Sequence, residues 1–183
     1  MSGEAPVAGD ARGAGRVIVV VGAGPRAIGW LERFAANLPL FAPPRVTIHL
    51  VDPYPPGAGR VWRLDQSPLV LMNSMAADVT MFTDDSVQMD GPVAPGPSLA
   101  EWAAAVRSGR LTHTPVPEDV RREIQTLGPH GFASRRLQGV YLGWVYRRVL
   151  ASLPEGSVVL DADTAVGVDD LPGGRQLVRL ASG

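Results

Sequence analysis

The chain has 183 residues, 45% of them apolar, and a formal net charge of -1. This is enough to bury a core and describes a globular chain, with no electrostatic case for a nucleic-acid partner. There is no cysteine, and every basic residue is arginine. Disulfides, thiolate metal sites, cysteine nucleophiles, lysine Schiff bases and the P-loop lysine are therefore excluded. The three histidines, His49, His113 and His130, lie far apart without ligand spacing, so no metal site is expected.

Residues 1–15 carry Glu4 and Asp10 and no apolar stretch, and they read as a disordered tail rather than a signal peptide. The run Val17-Ile-Val-Val-Val21 is the pattern of a parallel strand buried on both faces. A glycine turn follows. Ile28, Leu31, Phe34, Ala35 and Leu38 then recur at helical spacing between the polar Glu32, Arg33 and Asn37. Pro39, Pro43 and Pro44 are expected to end that helix. Residues 45–51 predict a second strand, which gives a βαβ unit.

Residues 53–60 are a turn-rich loop, and residues 69–85 show no clean period. Residues 91–97 are rich in Pro and Gly and are expected to be exposed. Ser98-Leu-Ala-Glu101 is a capping box that opens a helix to about Arg107, and Pro117-Glu-Asp119 marks another helix start. A longer helix is expected over 134–153, with Leu137, Tyr141, Trp144, Val145 and Val149 on one face. Residues 158–160, 164–168 and 176–180 predict strands, the last two joined as a hairpin through Pro172-Gly-Gly174. Asp84-Asp85 and Asp169-Asp170 read as acidic turns.

The chemistry lies near the first strand. In G-x-G-x-x-G/A, the first glycine makes the tight turn and the second admits a pyrophosphate close to the backbone. The third position must be small for helix and strand to pack. Gly22-Ala23-Gly24-Pro25-Arg26-Ala27 meets all three conditions, and the helix start supplies N–H donors and partial positive charge. The motif sits between a β-branched strand and an amphipathic helix, the context that supports dinucleotide binding. Asp52 ends the second strand, where a carboxylate accepts from the adenosine ribose hydroxyls and would repel the 2′-phosphate of NADP. It follows Gly24 by 28 residues, against roughly 20 in the usual spacing; the connection at 38–44 accounts for the excess. A strand-end aspartate also caps turns, so both readings stay open. Within residues 57–62 (GAGRVW), Gly57 and Gly59 allow close approach, Arg60 can pair with phosphate and Trp62 can cover a ring. A plain surface loop remains the other reading.

Four stretches carry a resemblance: VGAGPRAIGWLERF (21–34), HLVDPYPPGAGRVW (49–62), SPLVLMNSMAADVTMFTDD (67–85) and FASRRLQGVYLGWVYRRV (132–149). Together they resemble the N-terminal part of the FAD/NAD(P)-binding flavoprotein family, which is distantly similar to flavin-dependent amine N-hydroxylating monooxygenases. The paired GAGPRA and DPxPxGxGxxW motifs, the latter beginning at Asp52-Pro53, are the most specific. The resemblance implies an α/β Rossmann-like FAD-binding domain over 16–183, with a central parallel sheet, a helical insertion at about 91–153 and a small antiparallel β-meander. It implies FAD held by the glycine turn, Asp52 and the 57–62 loop, with NAD(P)H as the reductant in the full-length family. It puts Asn73 and Ser74 near the flavin, although those two read equally well as a core turn.

Family members run on for several hundred residues, so the domain is expected to be incomplete at its C-terminus, with an open sheet edge beside the cofactor site. The reading is the FAD-binding N-terminal portion of a flavin-dependent oxidoreductase of NAD(P)H-dependent monooxygenase type, expected in the cytoplasm, with a small-molecule substrate and neither nucleic acid nor membrane as partner. One alternative is a truncated cofactor-binding module without turnover. Another is an NAD-dependent dehydrogenase domain, disfavoured by the 57–62 loop. No residue qualifies as acid, base or nucleophile, and neither substrate nor oligomeric state is written in these residues.

Overall fold

The computed structural model describes residues 15–41, 45–112 and 114–183. Residues 1–14 of the tail expected at 1–15, together with Pro43, Pro44 and His113, lie outside the described residues. Strand β1 (Arg16–Val21) leads through the glycine turn into helix α1 (Pro25–Phe41), which returns to strand β2 (Val46–Val51). Helices α2 (Leu99–Arg107), α3 (Glu118–Thr126) and α4 (Arg135–Leu150) follow, then strands β3 (Val158–Asp161), β4 (Ala165–Leu171) and β5 (Arg175–Leu180). The first three strands form a parallel sheet in the order β1-β2-β3, and β4 and β5 form a separate antiparallel hairpin. This is the expected α/β arrangement, a parallel sheet with a helical stretch between its second and third strands and a small antiparallel unit after it.

One face of the sheet builds the core. Ile18, Val20, Ile48 and Leu50 join a cluster with Ile28 and Leu31 of α1 and Leu137, Tyr141, Leu142 and Val145 of α4. Helix α4 starts at Ser134, whose hydroxyl accepts from the Leu137 N–H, and the Glu123 carboxylate of α3 fixes that cap by accepting from the Ser134 N–H and hydroxyl at 2.7 Å each. The capping box at Ser98 and Glu101 forms as expected, with both reciprocal bonds present.

Several expectations need correction. Strand β1 is covered on one face only: Val17 is 65% and Val21 59% exposed, with Val19 between them also exposed. A run of β-branched residues is compatible with two-sided burial but does not supply the second layer, and no described element packs there. Pro39 does not end α1, which continues to Phe41. Proline keeps a helical φ and removes one N–H bond, a loss most easily tolerated near a terminus. Glu32, expected on the polar side of α1, is buried and is held by the Arg33 guanidinium at 2.5 Å. Residues 91–97 are partly covered: the Arg33 Nη1 donates to the Pro92 carbonyl at 2.8 Å, and Gly96 lies against the Phe82 ring. Asp169 and Asp170 are not a turn; both belong to β4, where Asp169 pairs with Arg179 across the hairpin.

Candidate functional site

Strand β1 delivers Gly22 to the end of the sheet, where its N–H donates to the Val51 carbonyl at 2.8 Å. Gly22 has φ +96°, a conformation that L side chains rarely adopt, so the reversal into α1 requires glycine there. The space in the side-chain direction of Gly24 is open: a Cβ built on it would meet no atom within 4 Å. Pro25 begins α1 at a position where a missing N–H costs nothing. The first-turn amides that follow, those of Arg26 and Ala27, have no intrahelical acceptor by helix geometry. Arg26 is exposed, and Ala27 is buried beneath the turn.

Asp52 ties this turn to the end of β2. One carboxylate oxygen accepts from the Ala23 N–H at 2.7 Å, the other from the Tyr54 N–H at 2.8 Å, and the residue is 8% exposed. The turn-capping reading of Asp52 is therefore real. A carboxylate has about four acceptor sites, so two backbone bonds leave capacity for further donors.

The loop after Pro53, itself exposed, folds back over the turn. The Gly57 N–H donates to the Ala23 carbonyl at 2.7 Å. A Cβ on Gly59 would lie 3.0 Å from the Gly24 Cα and 4.0 Å from the Asp52 carboxylate. Ala23 is thus held on both sides, by Asp52 through its N–H and by Gly57 through its C=O, while Gly59 packs against the Gly24 backbone without filling its side-chain direction. Two glycine motifs separated by more than thirty residues of sequence meet at backbone contact. This cradle fits a pyrophosphate: open above Gly24, with helix-start amides facing it and no Cβ at the close approach.

Helix α4 seats the loop from behind, a role not anticipated from the sequence. A Cβ on Gly57 would sit 2.5 Å from the Leu142 carbonyl, and Gly139 lies directly against the Trp62 carbonyl. The available signal was the pair of glycines inside a helix, Gly139 and Gly143, since an interior helical glycine implies close approach of another chain segment.

The remaining candidates are less tightly gathered. Arg60 is exposed beside the cradle. Trp62 is half-buried, with the Arg135 guanidinium 5.7 Å above its ring. The Arg135 Nε and the Gln138 Oε1, both on α4, are buried without a partner among the described residues. Asn73 and Ser74 are exposed in a segment running beside residues 129–134, held by the Met72 N–H to Ala133 carbonyl bond at 2.8 Å; among the described residues no backbone hydrogen bond joins them to the glycine turn. His49 meets Asp161 at 2.8 Å on the uncovered sheet face, and no group of three or more potential metal ligands exists among the described residues. No helix among them is long and apolar enough to cross a membrane.

Comparison with known proteins gives a consistent result. Residues 19–183 match the model of a family described as FAD-NAD(P)-binding. The chain is 42% identical to the nitrosuccinic acid synthase of Aspergillus oryzae over 169 residues, covering 91% of this chain and 23% of that protein. It is 40% identical over 168 residues to an L-aspartate N-monooxygenase (nitrosuccinate-forming) of Streptomyces davaonensis, and 43% identical over 178 residues to that of Streptomyces cremeus. These alignments cover 91% of this chain and 25% and 26% of those proteins, so the chain spans about a quarter of the length of the relatives it matches. With the cradle and a match that runs from β1 to the last residue, the chain belongs to the FAD-NAD(P)-binding family.

Proposed function

We propose that this chain forms the FAD-holding part of a flavin-dependent monooxygenase that hydroxylates an amine nitrogen, with an acidic amino acid such as L-aspartate as the substrate class and NAD(P)H as reductant. The interlock at Ala23 carries the cofactor half of the proposal: Asp52 on its N–H, Gly57 on its carbonyl, and Gly59 over Gly24. The substrate half rests on the relatives, two of which are L-aspartate N-monooxygenases.

In this reading the amides of Arg26 and Ala27 and the open face of Gly24 receive the pyrophosphate. Asp52 accepts from the adenosine ribose with the lone pairs that its two backbone bonds leave free. Arg60 adds positive charge at the rim, and Trp62 forms an apolar wall. Asn73 and Ser74 approach the redox-active ring from the neighbouring segment. Bound FAD supplies the oxygen-activating redox chemistry; the protein supplies binding, orientation and electrostatics.

The test is competition at the cradle. FAD added to the purified chain is expected to bind with a change in its visible bands and to resist displacement by excess NADH. A chain that binds NADH and leaves FAD free in solution would contradict the flavin assignment.

A further inference from the structure

A cavity of about 1060 Å³ is lined by residues within 54–65, the 114–117 segment, Arg121 of α3 and Gly139, Val140, Gly143, Tyr146 and Arg147 of α4. It is at the upper end of the range of small-molecule sites. Proline, Val116, Val140 and Leu64 make most of its wall apolar. Its charged groups are of uneven sign: Arg63, Arg121 and Arg147 against Asp65 alone.

The arginines differ in what they already hold. Arg63 Nε is 3.0 Å from Asp65, a complete pair. Arg121 stands 3.9 Å from Glu118, beyond hydrogen-bond distance. Arg147 has no ion pair among the described residues, and its Nη1 would lie only 3.6 Å from a Cβ on Gly143, so the guanidinium folds back over a glycine that lines the same cavity. The absence of a side chain at Gly143 keeps that space open. Tyr146 adds a hydroxyl whose ionisation is shifted upward by burial, so it remains a donor at neutral pH.

We propose that this cavity binds a second ligand: an organic anion with an apolar or aromatic body, its carboxylate, sulfonate or phosphate received by Arg121 and Arg147. An apolar wall with two guanidinium groups not committed to carboxylates at hydrogen-bond distance is complementary to that class, and a neutral ligand would leave the charge unused. The cavity shares Ala58 and Gly59 with the loop that forms the cofactor cradle, and Gly59 also packs against Gly24.

The experiment uses the 183-residue chain and two fluorescent probes with the same body, 8-anilinonaphthalene-1-sulfonate and the uncharged N-phenyl-1-naphthylamine. The sulfonate is expected to saturate a single site and to bind more tightly than the neutral probe. Arg121→Gln with Arg147→Gln should weaken the sulfonate by about tenfold and leave the neutral probe unchanged. Both arginines are exposed, so the fold is retained. Gly143→Leu, which fills the cavity from a helical position where an added Cβ meets only the movable end of Arg147, should remove both probes while preserving the helical circular dichroism. Saturating FAD should displace neither. Equal affinity for the two probes, indifference of the sulfonate to the arginine changes, binding unaffected by Gly143→Leu, or displacement by FAD would each overturn the proposal.

Discussion

At the residue scale, Asp52 holds the site together before any ligand arrives. Its carboxylate satisfies two backbone N–H groups, one of them the buried Ala23 amide inside the phosphate turn. Charge-assisted bonds of this kind are among the stronger ones, and a buried donor left without a partner costs about 1–3 kcal/mol. Asp52→Ala is therefore expected to lower unfolding free energy by about 1–3 kcal/mol in urea titration even without cofactor. An unchanged midpoint would show that the Ala23 amide finds another acceptor. Tyr141 offers a second test. Burial raises its hydroxyl to about 12, and the group donates to the Pro97 carbonyl at 2.8 Å. Its neutral form is favoured in the folded state, so its contribution is fully present below pH 10 and is lost as pH rises towards 12. Urea midpoints measured from pH 9 upward should fall through that window, and Tyr141→Phe should flatten the fall.

At the element scale, α4 carries two glycines with opposite requirements. Gly139 is in contact with the Trp62 carbonyl, whereas Gly143 has only the movable Arg147 guanidinium nearby. Alanine is favoured over glycine inside a helix by about 1 kcal/mol. Gly143→Ala should accordingly stabilise by up to about 1 kcal/mol. Gly139→Ala should destabilise by about 1–3 kcal/mol, because the added methyl pushes the 57–62 loop off its seat. Thermal unfolding of the two variants side by side should give shifts of opposite sign. Equal shifts would contradict the loop packing described.

The elements themselves were legible because their signals are local. The capping box at Ser98 and Glu101, the β-branched run of β1 and the turn chemistry at Gly22 each announce one structure over a few residues. The glycine turn and Asp52 were legible for the same reason. What escaped was set by distant contacts: the seat of Trp62 on Gly139, the burial of Glu32 under Arg33, and the one-sided covering of β1. A sequence period reports which face can be buried, not which neighbour arrives to bury it.

At the scale of the whole molecule, the parallel sheet divides into a packed and an uncovered face. Ile48 is fully buried on one, whereas Val19 is exposed on the other. Ile48→Ala should cost about 2–5 kcal/mol in chemical denaturation, whereas Val19→Thr should stay within about 0.5 kcal/mol. Comparable losses at both positions would mean that a further layer covers β1. The packed face also sets the position of the cradle, since β1, β2 and α1 converge on Gly22, Asp52 and Ala27, and α4 presses the second glycine loop against them.

If the open space above Gly24 receives the cofactor pyrophosphate, Gly24→Val should separate folding from cofactor binding. A Cβ added there meets no protein atom within 4 Å, so the thermal midpoint of the free chain should change little. FAD affinity, read from the visible absorbance titration, should fall at least tenfold, about 1.4 kcal/mol or more. A Gly24→Val chain that binds FAD as tightly as the parent would contradict the account.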